Sequence, residues 1–269
     1  MRDVARADQD VVTDSAQTHT ERPSDDAGAE NAYSHLGRVT SRATVKSARI
    51  TENVTQLTRA HFVNAYLVRE DDGLTLVDTT MGGAAEALIA AASEAGGSIR
   101  RVALTHGHGD HVGSLDALSE MLGDAVEVLM PELDARIHAG EKVVEGKLPG
   151  SWPELRTRPG VHLSAGDRVG SLEVIASPGH TPGHVSFLDT RDRVLIAGDV
   201  YTTYGKTAVT DHFYLRFPFA AMATWDKAKD LESARALRAL DPAILVVGHG
   251  PALRQPAAAM DAATARGDR

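Results

Sequence analysis

The sequence contains no cysteine. That absence excludes disulfides, iron–sulfur clusters, cysteine nucleophiles and every metal site built on thiolates. The chain also lacks an apolar run as long as the roughly 18 residues of a membrane-spanning helix. No apolar segment typical of a secretion signal occurs near its beginning. We therefore expect a cytoplasmic protein that makes no contact with a membrane.

Basic residues are the minority of the charged ones, with 28 Lys and Arg against 37 Asp and Glu and a formal net charge of −9. Nucleic-acid binding needs clustered basic side chains, so we expect no nucleic-acid partner. Eight acids and three arginines lie in the first 35 residues, where bulky apolar residues are almost absent. Such a segment buries too little surface to offset its ordering entropy. We expect residues 1–37 to form a flexible acidic tail and residues 38–269 to form a single domain.

Regular apolar patterns follow that acidic segment and alternate between strand-like and helix-like stretches. Early strands follow one another as hairpins do, and later strands alternate with helices, which predicts a mixed α/β layered fold. The predicted strands are residues 45–50, 65–68, 74–77, 102–104, 126–130, 172–175, 185–188, 194–197 and 244–247. The predicted helices are residues 84–95, 114–122 and 226–240.

Four of the predicted strands lead into a side chain that can bind a metal ion. The pairs of strand and side chain are 102–104 with His106, 172–175 with His180, 194–197 with Asp199, and 244–247 with His249. Sites in layered α/β folds form where strands end, because the strands hold the following loops rigidly. The sequence therefore predicts that these four side chains meet at one edge of the fold.

The strongest single element is the segment His106-Gly-His108-Gly-Asp110-His111. Alternate residues of an extended chain point to the same side, so His106 and His108 can hold one ion. Asp110 follows in the same register, and His111 turns to the other side where a helix begins, which suits a second ion. The glycines between them remove side chains that would crowd the ions.

These motifs together resemble the metallo-β-lactamase superfamily from about residue 39 to residue 253. The resemblance rests on the segment above and on three further elements, Gly179-His180-Thr181, Gly198-Asp199 and Gly248-His249-Gly250. It implies a four-layer αβ/βα sandwich with a metal site at the edge where strands end. It also implies two sets of ligands joined by a bridging Asp199, namely His106, His108 and His180 for the first ion and Asp110, His111 and His249 for the second.

Two neighbouring histidines compete for one place among these ligands. The resemblance favours His180, which precedes Thr181, and it leaves His184 to packing or to hydrogen bonding behind the ligands. Asp78 stands at the early Asp position of the superfamily, at the end of strand 74–77. It either orients a metal ligand or is a simple turn residue.

Two divalent ions held by imidazole and carboxylate groups are suited to hydrolysis. They lower the pKa of a bridging water so that hydroxide is available near neutral pH, and they polarise a carbonyl group. Asp110 can pass a proton from the nucleophile to the leaving group. The donor set favours zinc, with iron and manganese as alternatives.

Aromatic residues are scarce, at 4% of the chain, yet seven of the twelve lie in residues 201–225. They either form an apolar wall over the metal site or pack the second half of the sandwich. Tyr201 is a candidate donor to an oxyanion. Lactonases of the superfamily use a Tyr three residues past their Asp, whereas Tyr201 stands two past Asp199. His212 is a weaker candidate for substrate contact.

The resemblance narrows the reaction further. True zinc β-lactamases generally lack a bridging Asp, and enzymes of the glyoxalase II type carry a glutathione-binding C-terminal module that we expect to be absent here. We expect a dinuclear metal-dependent hydrolase of a small acyl substrate, which is a lactone, a thioester or an ester. The alternatives are a mononuclear iron enzyme resembling the persulfide dioxygenases, a true β-lactam hydrolase and a non-catalytic binding module. The sequence leaves the oligomeric state open, with a dimer as one option.

Overall fold

A computed structural model describes residues 44–265, so the predicted tail at residues 1–37 lies outside the described residues. The strands are β1 (Val45–Arg49), β2 (Val54–Arg59), β3 (Val63–Glu70), β4 (Gly73–Val77), β5 (Ile99–Ala103), β6 (Glu127–Pro131), β7 (Val161–Leu163), β8 (Arg168–Val169), β9 (Leu172–Ala176), β10 (Val185–Asp189), β11 (Val194–Ile196), β12 (Tyr201–Thr202), β13 (Ala208–Val209), β14 (Ile244–Val246) and β15 (Leu253–Arg254). The helices are α1 (Ala85–Glu94), α2 (Gly109–Val112), α3 (Leu115–Leu122), α4 (Glu132–His138), α5 (Phe219–Ala223), α6 (Lys227–Ala239) and α7 (Ala257–Thr264). Within this part of the chain, no helix has the length and apolarity needed to cross a membrane.

Two large sheets carry most of the strands. The first contains β1 to β7 in sequence order, antiparallel from β1 to β4 and parallel from β4 to β7. The second has the order β15-β14-β11-β10-β9-β8, with β11 and β14 parallel and the other neighbours antiparallel. The early hairpins and the later alternation of strands and helices agree with the sequence pattern.

The central strands of each sheet are buried on both faces, and their successive side chains point to opposite sides. In β4, Leu76 shares a core with helices α1 and α3, whereas Val77 shares a core with the second sheet. In β14, Val246 belongs to that core between the sheets, and Leu245 packs with helices α6 and α7. The layers are therefore helices, sheet, sheet and helices, and the predicted four-layer sandwich is confirmed.

The ends of four strands meet at one edge of this sandwich. Strands β9 and β11 both run antiparallel to β10, and β14 runs parallel to β11, so the carboxyl ends of all three lie at the same edge of the second sheet. Strand β5 of the first sheet ends beside them. The backbone N–H of Val185 donates to the carbonyl of Thr105 at 2.9 Å, which ties the loop after β5 to the second sheet.

Replacing Leu195 by alanine tests the core between the second sheet and its helices. The Leu195 side chain is fully buried there, so we expect Leu195→Ala to lower the free energy of unfolding by about 2–5 kcal/mol. Leu215→Ala is the matched control, because Leu215 is 82% exposed and its truncation leaves no cavity. Chemical denaturation measures both variants. If both variants lost the same free energy of unfolding, the result would contradict the packing of helices against the second sheet.

Candidate metal centre

The seven predicted ligands all lie at the edge where β5, β9, β11 and β14 end. Six of them are almost completely buried, namely His106, His108, His111, His180, Asp199 and His249. Asp110, in the first turn of α2, is 37% exposed. The strands thus bring together side chains that are far apart in the sequence, as predicted.

Three imidazoles form a first group, consisting of His106, His108 and His180. One ring nitrogen from each lies within 4.8 Å of the others, and His108 Nδ1 is 3.0 Å from His180 Nε2. Ligand atoms around a tetrahedral zinc ion lie roughly 3.3 Å apart. The spacing of these nitrogens is therefore that of a metal site.

A second group consists of Asp110, His111 and His249. Asp110 Oδ2 is 3.3 Å from His249 Nε2 and 3.9 Å from His111 Nε2. Asp199 lies between the two groups, with Oδ2 3.5 Å from His180 Nε2 and 3.1 Å from His249 Nε2. A carboxylate that touches both groups has the position of a bridging ligand.

Several buried atoms of the centre leave their hydrogen-bonding capacity unused. His106 Nε2, His111 Nε2 and Asp199 Oδ1 are each buried without a hydrogen-bond partner. Buried polar atoms normally have partners, and bound ions would account for the exceptions here. Gly248 provides a second indication, because a Cβ at that position would overlap Asp199 Oδ1. The residues present therefore fit two divalent ions held by imidazole and carboxylate groups.

Hydrogen bonds behind the candidate ligands determine which ring nitrogen faces the centre. The Nδ1–H of His111 donates to Asp78 Oδ2 at 2.8 Å, which leaves Nε2 free. Asp78 also accepts the backbone N–H and the hydroxyl of Thr105, and that hydroxyl lies 2.9 Å from His106 Nδ1. The buried Asp78 therefore orients these histidines, as one of the two sequence interpretations expected, and is not a simple turn residue.

The two competing histidines have different surroundings. His180 Nε2 faces the centre, while its Nδ1 lies 3.0 Å from the Thr224 hydroxyl. His184 Nε2 accepts the backbone N–H of Asp199 at 3.1 Å, and its Nδ1 lies 2.9 Å from the Ser177 hydroxyl. Both ring nitrogens of His184 are thus occupied. This arrangement agrees with the expected role of His184 behind the ligands.

Charges within the centre balance one another. Burial disfavours the charged form of the Asp199 carboxyl, but His249 and His111 outweigh burial and hold the pKa of Asp199 well below its usual range. Burial also disfavours the charged form of His249, but the carboxylates of Asp199 and Asp110 raise its pKa to about 9. The carboxylates are therefore charged, and metal cations would take the place of the imidazole protons.

A cavity of about 280 Å³ opens onto the centre. One side of it consists of candidate ligands, Asp110 among them. The other side consists of six apolar residues, which are Phe62, Met81, Phe217, Phe219, Ala220 and Ala223. A substrate in this cavity would contact both apolar side chains and the candidate metal ligands.

Comparison with known proteins assigns this architecture to a family. Residues 58–249 match the family model described as the metallo-beta-lactamase superfamily. The chain belongs to this superfamily. The predicted family is therefore confirmed.

Relatives within the superfamily support a hydrolase. The chain is 41% identical over 204 residues to the uncharacterized protein YobT of Bacillus subtilis (strain 168), covering 74% of this chain and 87% of YobT. It is 28% identical over 241 residues to the probable metallo-hydrolase YflN of the same strain, covering 81% and 90% of the two chains. The crystal structure of TTHA1623 in a di-iron-bound form is 28% identical, with a TM-score of 0.56, and covers 74% of this chain and 93% of that one. Superfamily membership and the metallo-hydrolase relatives make the chain a hydrolase.

The prediction that Tyr201 donates to an oxyanion is wrong. Its hydroxyl donates to the carbonyl of Ala234 in helix α6 at 2.6 Å, and its ring is buried in the core between the second sheet and the helices. Tyr201 therefore stabilises an outer layer of the superfamily fold. Residues 198–200 form a turn before β12, so the alternation of a strand does not extend from Asp199 to Tyr201, whose side chain enters that core.

The predicted aromatic wall is formed by a small part of residues 201–225. Phe217 and Phe219 line the cavity, and the remaining aromatics of the stretch do not. His212 lies 2.6 Å from Asp211 and is not among the described residues that line the cavity. Sequence reasoning missed Phe62, whose ring stacks on His249. Phe62 lies early in the chain, before β3, and no sequence motif around it indicates that it belongs to the site.

Sequence reasoning also missed Asp134, which joins two loops that carry candidate ligands. Its Oδ2 accepts the backbone N–H of Gly107 at 2.8 Å and the hydroxyl of Thr181 at 2.7 Å. Its Oδ1 accepts the backbone N–H of Gly183 at 2.8 Å. Burial raises the pKa of Asp134 to about 6. Acids are favoured in the first turn of a helix and Asp side chains are mostly exposed, so no sequence signal distinguishes this one.

Alanine substitutions of His180 and His184 separate a ligand from a supporting residue. His180→Ala removes a nitrogen that faces the centre, so we expect the loss of at least one metal ion per chain. His184→Ala leaves the seven candidate ligands in place, so we expect most of the metal to remain, with an affinity weakened about 10-fold. Elemental analysis of the purified variants measures the difference. If His180→Ala retained its metal and His184→Ala lost all of it, His184 would be the ligand and His180 the supporting residue.

Replacing Asp134 by asparagine tests the joint between the two loops. The amide offers one acceptor oxygen and places an NH₂ group against a backbone N–H, so we expect the metal affinity to fall at least about 10-fold. Glu132→Gln is the matched control, because Glu132 is an exposed acid of the same helix. Titration of the metal into metal-free protein measures the affinities. Equal affinities in the two variants would contradict this role of Asp134.

Proposed function

We propose that the protein is a dinuclear metal-dependent hydrolase of a small acyl substrate, which is a lactone, a thioester or an ester. One ion would be held by His106, His108 and His180, the other by Asp110, His111 and His249, and Asp199 would bridge them. The observation that carries this proposal is the position of the Asp199 carboxylate, within 3.5 Å of a histidine from each group. The cavity beside it would admit the substrate.

Two bound divalent ions would supply hydroxide near neutral pH and polarise the scissile carbonyl group. The proton of the attacking water needs an acceptor, and Asp110 is the partly exposed carboxyl that faces the cavity. Burial opposes its charged form, but the charge of His111 and a hydrogen bond from His249 outweigh burial and hold the pKa of Asp110 below its usual range. Asp110 is therefore charged at neutral pH, and can accept that proton and deliver it to the leaving group.

Zinc is the ion that we propose, because imidazole and carboxylate ligands suit it. Iron is the alternative, and the di-iron form of TTHA1623, a relative of the same fold, supports it. Manganese also accepts these ligand types.

Metal removal and replacement tests the proposed function. We expect about two divalent ions per chain, and we expect chelation to abolish the hydrolysis of a panel of lactones, thioesters and esters until the metal is returned. Asp199→Asn removes the bridging charge, so we expect metal and activity to be lost together. Asp241→Asn is the matched control, because the Asp241 side chain is 79% exposed. Elemental analysis and hydrolysis assays measure both quantities.

Two outcomes would contradict this proposal. A single iron ion per chain with consumption of oxygen would favour the mononuclear iron alternative. A fully loaded protein that hydrolyses none of the acyl substrates would favour a binding module.

A further inference from the structure

We propose that the cavity beside the metal centre binds an uncharged, apolar acyl group, and that Phe219 and Ala223 set the length of the chain it accepts. This inference rests on the proposed hydrolase function and narrows its substrate class. It concerns the side of the cavity that is not made of candidate metal ligands.

The composition of that side supports an apolar group. The six residues that complete the lining are three phenylalanines, one methionine and two alanines. Burying apolar surface against them contributes roughly 25 cal/mol for each Å². A polar group placed there would lose its hydrogen bonds to water without gaining others.

The apolar side of the cavity offers no partner to a charged group. Among the described residues that line it, none carries a Lys or Arg side chain. Arg59 contacts Met81, one of the lining residues. Its guanidinium donates to the backbone carbonyls of Met81 and Gly82 and is not itself part of the lining. The carboxylates of a glutathione-like thioester would therefore find no basic side chain among the residues that line this cavity.

Helix α5 and Phe217 define the shape of the cavity. Phe217 is buried, with its ring centroid 4.7 Å from that of His249 and 5.9 Å from that of Phe219. Phe219 is 68% exposed, so a bound acyl chain would shield its ring from water. Ala223 lines the cavity from the last turn of the same helix, where a larger side chain would shorten the available space.

The size of the cavity restricts the length of the acyl group. Pockets for drug-sized ligands measure roughly 300–1,000 Å³, and this one measures about 280 Å³. A short chain would fit, whereas a long chain would extend past Phe219 into solvent. We therefore expect affinity to rise with the first methylenes and then to level off.

Binding of methyl ketones to the metal-loaded protein tests the inference without turnover, because a ketone has no leaving group. We expect the affinity to rise up to about fourfold for each added methylene from 2-butanone to 2-heptanone, measured by ligand-observed NMR titration. We expect 2-hexanone to bind more tightly than 5-hydroxy-2-pentanone, an uncharged ketone with the same number of heavy atoms that would place a hydroxyl group against the apolar side. Affinity that does not vary with chain length, or a preference for the ketone that carries the hydroxyl group, would overturn the inference.

Variants of helix α5 test whether the dependence of ketone affinity on chain length arises in this cavity. We expect Phe219→Ala to weaken binding of 2-heptanone roughly fivefold or more, and Ala223→Leu to weaken it more than it weakens binding of 2-butanone. Met222→Ala is the matched control, because Met222 is 67% exposed on the same helix and does not line the cavity. Equal effects of Phe219→Ala and Met222→Ala would overturn the assignment to Phe219.

Turnover of acyl esters that differ only in chain length separates this inference from the proposed function. Ketone binding as expected, without hydrolysis of any acyl substrate, would leave the apolar site in place and remove the hydrolase proposal. Hydrolysis of acyl substrates, together with ketone affinities that do not depend on chain length, would support the hydrolase proposal and remove the apolar site.

Discussion

The buried carboxylate of Asp199 is the group on which the candidate site depends. A lone carboxylate at that depth would be strongly disfavoured, and here the imidazoles of His111 and His249 offset the cost of burial. The same carboxylate touches both groups of candidate ligands. Its backbone N–H is held in turn by His184. Gly248 leaves the space that this carboxylate occupies. Removing the charge would therefore disturb both groups at once.

Convergence of the two sheets gives this carboxylate its neighbours. The loop after β5 and the turn after β9 come from different sheets, and each contributes to the first group of imidazoles. Two features hold them together, the bond from Val185 to Thr105 and the carboxylate of Asp134. The packed core between the sheets and the shared hydrogen-bond partners thus fix the positions of the loops that carry the first group.

The residues that line the cavity are harder to predict from the sequence than the candidate metal ligands. The apolar side of the cavity combines Phe62 before β3 and Met81 after β4 with residues around helix α5, and none of these segments carries a motif. The candidate ligands follow strands, where spacing predicts direction. The residues that would contact substrate lie in loops and a short helix, where direction depends on packing. This difference explains why ligand positions are predictable and substrate contacts are not.

The sequence by itself indicated a mixed α/β layered fold with candidate ligands at one edge, because sites in such folds form where strands end. The four layers and the two sets of ligands were what the resemblance to the superfamily implied. The sequence left Asp78 either as a support for a ligand or as a turn residue, and the hydrogen bonds of the folded chain decided for the first. Only the tertiary structure decided which aromatic residues face the cavity. Tyr201 lies only two residues after Asp199, yet its ring enters the core between the second sheet and the helices. Phe62, which is distant in the sequence, stacks on His249. Asp134 likewise has no local signature, because its three partners come from loops that meet only when the sheets pack.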